Sequence, residues 1–142
     1  MNFGWGMGEF IAISGLAMKV YTAYKHAPND YRHISNEVRS LQIIINKATR
    51  YFRSTALSDS DRQEGLEVLK GCRDILEDLN SLIEKYNRLV SANPGHWQVL
   101  KWVKLGTEDI TALRVRLNSN TGFLNSFIQR FDILLILFSI LG

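Results

Sequence analysis

Residues 69–90 read LKGCRDILEDLNSLIEKYNRLV, and the fold turns on how this stretch is read. Leu69, Cys72, Leu76, Leu79, Ile83, Tyr86 and Val90 alternate in steps of three and four. At 3.6 residues per turn that spacing lines them up as one apolar stripe on an α-helix. Glu67, Lys70, Arg73, Asp74, Glu77, Asp78, Glu84 and Lys85 fall mainly on the other faces. A strand would need alternation at every second residue, and no such pattern persists here.

The same step recurs on either side. Upstream, Ile34, Val38, Leu41, Ile45, Ala48 and Phe52 form a heptad seam that predicts a helix over about 30–53. Downstream, Asn93-Pro94-Gly95 breaks the chain, with Asn93 placed to cap a following helix and Pro94 at its first position. That helix carries Val103, Gly106, Ile110, Leu113, Leu117, Asn120, Leu124, Phe127 and Phe131 on one seam. Asn120 interrupts the seam as a register-setting polar residue does, and Gly106 marks a kink or a close helix crossing. Between the second and third helices, 57–65 is polar, with Ser58, Ser60 and Asp61 as N-cap candidates and Ser60/Gln63 at capping-box spacing.

The chain begins differently. Its first 24 residues carry only two charges, Glu9 and Lys19, and four glycines. They also hold Phe3, Trp5, Met7, Phe10, Ile11, Ile13, Leu16, Met18, Val20, Tyr21 and Tyr24. A helix over about 7–25 follows, ended by Pro28 and Asn29-Asp30. The expected fold is therefore all-α, an antiparallel bundle of about four main helices over residues 1–131, with a short apolar tail at 132–142. Polar substitution at Leu76 or Leu113 is expected to unfold it.

Composition bounds the function. The 142 residues suit one domain, with 46% hydrophobic and 22% charged residues and a net charge of +3. Lys and Arg are scattered and not interleaved with aromatics, so no nucleic-acid partner is expected. The lone cysteine, Cys72, fits a reducing cytosol and lies on an apolar stripe, where it acts as a small hydrophobe. The N-terminus lacks a basic segment and a clear cleavage site, so a signal peptide is not expected. Uncharged stretches at 10–18 and 133–142 are shorter than the ~20 residues of a conventional transmembrane helix.

Little in the chain suggests chemistry. His26, His33 and His96 are dispersed, and no metal-ligand spacing or phosphate-cradling glycine loop occurs. Glu77-Asp78 and Glu108-Asp109 are adjacent pairs that point to different helix faces. No enzyme activity, metal or cofactor is expected. Trp97 and Trp102 beside Lys101 and Lys104 fit either of two places, the end of the core under lysine stems or a bilayer interface.

A family resemblance rests on a scattered set of packing positions. In the first part these are Phe3-Gly4, Gly6, Gly8, Phe10-Ile11-Ala12, Leu16-Ala17, Lys19-Val20-Tyr21, Ala27-Pro28, Ile34-Ser35, Glu37-Val38 and Ser40-Leu41. Further on come Gly71-Cys72, Leu76-Glu77-Asp78-Leu79, Leu82, Lys85-Tyr86, Trp97, Trp102, Glu108-Asp109-Ile110, Leu113-Arg114 and Arg116-Leu117. Over about residues 3 to 128 the chain resembles the fungal N-terminal, HeLo-like domain of STAND-type, NLR-like receptors. The resemblance implies a helical effector of innate immunity or incompatibility that oligomerises and causes regulated cell death at membranes, its first helix being released into the bilayer. Two departures stand out: no nucleotide-binding or repeat region follows in these 142 residues, and 133–142 replaces a linker. That tail is expected to lie outside the ancestral fold.

The membrane reading assigns lipid contact to Phe3, Trp5, Met7, Phe10, Ile11, Ile13, Leu16 and Val20, and a pore-lining role to Glu9. Residues 7–25 as a helix would span ~28 Å, close to the ~30 Å hydrocarbon core. Its partners would be further copies of the chain, membrane lipid and an NLR-like receptor with a related N-terminal domain, the protein being cytoplasmic until recruited to a membrane. The alternative is a helical adaptor that oligomerises without lipid, its first helix apolar all round because it is surrounded. Binding to anionic liposomes that is lost when Phe10 and Leu16 become Glu would favour the first reading, and defined oligomers in lipid-free buffer the second.

Overall fold

A computed structural model of the protein describes residues 3–27, 29–53, 57–92 and 107–141. Within these, the side chains of 3–7, 29, 30, 89, 90, 92, 107–109, 135 and 138 are not described. Four helices account for nearly all of it: α1 (Phe3–Lys25), α2 (Asn29–Arg53), α3 (Asp59–Ala92) and α4 (Thr107–Leu141). Among the described residues there is no strand. The expected start of a fourth helix at Pro94 lies outside the described residues, as do His96, Trp97, Lys101, Trp102, Lys104 and Gly106.

The heptad stripes are the core. All six seam residues of α2, from Ile34 to Phe52, are buried, as are Leu69, Cys72, Leu76, Leu79, Ile83 and Tyr86 of α3. Ile110, Leu117, Leu124, Phe127 and Phe131 join them from α4, while Leu113 is only partly buried against the cluster. Cys72 is fully buried, and burial pushes its thiol up to about 12, so it stays protonated and unreactive.

Cross-helix contacts set the arrangement. Ser14 bonds Asn46 and Glu9 pairs with Arg73, whereas Glu37 pairs with Arg114 and Asp78 with Arg116. Phe10 meets Phe52 while Ser14 meets Asn46, Glu9 meets Arg73 while Lys19 meets Glu84, and Asp78 meets Arg116 while Glu64 meets Arg130, which makes successive helices antiparallel, as expected. The helices do not follow one another around the ring, however. α1 and α4 each pack on both α2 and α3, giving the circuit α1–α2–α4–α3. Two neighbouring pairs, α1/α3 and α2/α4, therefore run parallel, and the chain crosses a diagonal between α2 and α3.

Two glycines let helices come close. A Cβ on buried Gly65 would lie 2.2 Å from Phe52 Cζ and 2.8 Å from Phe127 Cζ. On Gly71 it would lie 2.4 Å from Asn120 Oδ1. Asn120 thus fits a notch in α3, and its amide nitrogen donates to the Arg116 carbonyl at 2.8 Å. The interruption on the α4 seam is satisfied by its own helix.

The cap of α3 is Ser58. Its hydroxyl accepts from the Asp61 amide at 3.1 Å, while Ser60 sits inside the first turn. The stretch expected to be a polar link is the opening of the helix, because Asp59 and Asp61 there suit the positive end of its dipole. Ser58→Ala is expected to cost about 1 kcal/mol, a fall of roughly 3–5 °C in Tm, and Ser60→Ala almost nothing. Paired thermal melts check this.

Candidate functional site

α1 has two apolar faces, and only one is in the core. Phe10, Ile13, Ala17, Val20 and Tyr24 step three and four along the inner face and are buried. The Tyr24 hydroxyl donates to the Leu79 carbonyl at 2.8 Å, and burial raises its pKa further above the usual phenol value. On the outer face Gly8, Ile11, Gly15 and Met18 follow the same step. Ile11 is 68% exposed and Met18 43%, and, beyond the helix's own adjoining backbone, no described residue comes within 4 Å of where a Cβ on either glycine would sit. The helix is therefore not surrounded, and being enclosed does not explain its apolar outer face.

The residues assigned to lipid contact separate accordingly. Phe10, Ile13 and Val20 are core, Leu16 is partly buried and Ile11 faces outward. The side chains of Phe3, Trp5 and Met7 lie outside the described set. Because Phe10 is 1% exposed and its ring centroid is 4.5 Å from that of Phe52, a glutamate there would disrupt the core. Ile11 and Met18 are the positions that report on surface contact without that complication.

Both charges on α1 meet partners on α3. Glu9 lies 3.6 Å from Arg73, with side chains 24% and 34% exposed, and Lys19 lies 3.5 Å from Glu84. Pairs this exposed contribute little to stability. They do orient the helix, since Glu9 and Lys19 would each lose the partner named here if α1 moved away. The Ser14 hydroxyl adds a bond to Asn46 Oδ1 on α2 at 2.8 Å.

The second apolar feature is the end of α4. The helix runs without a break through 133–141, and Asp132 at its base bonds Tyr51 and lies 3.7 Å from Lys47. Beyond Asp132, Ile133, Leu134, Ile136, Leu137, Ile140 and Leu141 are all exposed. Among the described residues α4 alone is long and apolar enough to cross a membrane, by length and composition. That breadth comes from joining the tail to core residues such as Leu124, Phe127 and Phe131, across Arg130 and Asp132.

No cluster of three or more His, Cys, Asp or Glu able to hold a metal occurs among the described residues. His26 and His33 are exposed and apart, and Glu77 and Asp78 face solvent toward Arg73 and Arg116. The side chains of Glu108 and Asp109 are outside the described set. Comparison of the chain with family models, curated proteins and solved structures finds no match.

Proposed function

We propose that this chain is a membrane-acting helical effector of the NLR-like, HeLo-like kind, without enzymatic activity, in which oligomerisation frees α1 and several copies permeabilise a bilayer. The immunity and cell-death setting rests on the residue resemblance alone. One observation carries the membrane part: the outer face of α1 is apolar and exposed at Ile11 and Met18 while its inner face is core. A bundle in water needs only the inner face. A helix that must also lie among lipids and other helices uses both, and Gly8 and Gly15 leave room for close approach.

Release needs a trigger. Burial of Phe10, Ile13 and Val20 contributes ~1.5–3 kcal/mol each. Their sum is comparable to the ~5–15 kcal/mol that holds a domain of this kind together. In an assembled ring Glu9 and Lys19 would exchange Arg73 and Glu84 for a wet lumen, avoiding the cost of a charge among acyl chains.

The same outer face also supports the second reading, an adaptor that oligomerises through α1 without lipid. Dye release from liposomes by the intact chain, held oligomeric by a fused dimeriser, separates the two. Ile11→Glu with Met18→Glu is expected to abolish release while leaving the melt within about 0.5 kcal/mol of the parent, since both sites are exposed. Full release by the double variant would refute the proposal. No release by the parent, with defined oligomers in lipid-free buffer, would establish the adaptor.

A further inference from the structure

We propose that copies of this chain join head to tail, the basic outer face of α2 on one copy seating on the acidic α3/α4 seam of the next. The proposal rests on the oligomerisation that both readings above require, and it names the surfaces that carry it.

The charges are divided between the two halves of the chain. Residues 3–53 hold seven Lys and Arg against three Asp and Glu, a net +4. Residues 57–92 with 107–141 hold eight against eleven, a net −3. Burial sharpens the division. Among the described side chains of α2 every exposed charge is positive, at Arg32, Arg39, Lys47, Arg50 and Arg53, and of these only Lys47 pairs with an acid among the described residues. Between 59 and 78 on α3 the exposed charges are six acids, Glu64, Glu67 and Asp74 among them, against Lys70 alone.

Each face also carries one large apolar side chain. On α2, Arg32, Arg39, Ile43 and Arg50 follow steps of seven, four and seven, so they share one side of the helix. Ile43 is 55% exposed, with Arg39 one turn before it and Arg50 two turns after. On α4, Phe123 is 60% exposed. It stands one turn after Asn120, which meets Gly71, and one turn before Phe127, which meets Gly65, so it lies along the α3 side of its helix. That register sets it between Glu64 and Asp74, close to the level of Glu67. An apolar contact flanked by opposite charges is complementary in both respects.

The signs decide how two copies meet. Two α2 faces would set arginine against arginine, and two α3 faces acid against acid, so a two-fold dimer is opposed by like charge. The contact that remains is heterologous, which closes into a ring or runs on as a filament. The circuit of the bundle puts α2 and α3 at opposite corners, so both faces are open at once and each copy takes one neighbour on either side. Neither face includes α1, and the contact therefore persists when α1 leaves. One helix on a two-helix seam falls at the small end of interface sizes, below ~1,200 Å². Assembly is accordingly weak, and it needs a raised local concentration.

Sedimentation velocity of the full chain in lipid-free buffer tests the contact. The parent is expected to grow beyond a monomer as concentration rises at low salt, with association at least about tenfold weaker near ~0.5 M salt. Ile43→Asp and, separately, Glu67→Arg with Asp74→Arg are each expected to keep the chain monomeric with its melt unchanged, since all three sites are exposed. Mixed, these two variants should form a 1:1 dimer and nothing larger, because one keeps its acidic face and the other its basic face. The contact is overturned if the parent stays monomeric, if either variant assembles as the parent does, or if the mixture gives no dimer. It is also overturned if Ile43→Asp alters only binding to phosphatidylserine vesicles, which would make the α2 face a lipid surface. A monomeric parent that still releases dye when fused to the dimeriser would remove this contact and leave the membrane reading standing. A parent that assembles in this way and releases no dye would do the reverse.

Discussion

Leu76→Asp is expected to abolish the cooperative thermal melt. Leu76 is wholly buried on the α3 stripe, within the cluster shared by the helices. Shortening the side chain alone would cost ~2–5 kcal/mol. The carboxylate adds several more, because nothing around it replaces its hydration. Together these match or exceed the stability of a typical domain. Val115→Asp is the control on an exposed α4 position, and it should move stability by less than about 0.5 kcal/mol. Circular dichroism during heating reads both. A cooperative Leu76→Asp melt near the parental midpoint would mean that the stripe is not the core. Leu113 would be a weaker site than its seam position suggests, since it is only partly buried, and Leu117 is the fully buried α4 counterpart.

The second large effect is a reversal of sign at Gly65. In the parent, Gly65→Ala is expected to destabilise by about 1–3 kcal/mol despite the better helix propensity of alanine. The new Cβ would press into Phe52 and Phe127, and those rings cannot swing aside. Phe52 is held 4.5 Å from Phe10 and 5.8 Å from Phe127, and Phe127 is 4.7 Å from Phe131, all between ring centroids. Phe52→Ala alone is expected to cost ~3–5 kcal/mol through the cavity it leaves. In that background the Phe127 ring can shift into the space that Phe52 vacates, so Gly65→Ala should become neutral or stabilising, by up to about 1 kcal/mol, as the helix gains propensity. Denaturant unfolding of the four proteins gives the coupling. Additive effects would show that the glycine is not a notch for the ring.

The helices were legible because their stripes are long and unbroken, and the α2 and α3 seams map onto buried residues without exception wherever side chains are described. What periodicity left open was the order around the ring, since a stripe states which face is buried and not which helix lies against it. The start of α3 was legible only as a choice among Ser58, Ser60 and Asp61, because all three suit a cap and Asp59, Ser60 and Asp61 resemble a linker in composition; the Ser58 hydroxyl, accepting from the Asp61 amide, settles it. In α1 the long roll of apolar residues hid two separate stripes. Gly8, Ile11, Gly15 and Met18 already showed the heptad step, but glycines are not counted as apolar and the second face went unnoticed. Gly65 and Gly71 carried no signal at all, because a notch exists only against the side chain that enters it.

The circuit α1–α2–α4–α3 bears on what remains if the first helix departs. α1 and α4 occupy opposite corners, so withdrawing α1 opens its two seams and leaves both α4 seams shut. The remainder would be a bent layer of three helices with α4 as its spine and a trough between α2 and α3. Such a layer has a ready way to limit its exposure, because its two outer helices can fold toward each other about the spine and narrow the trough.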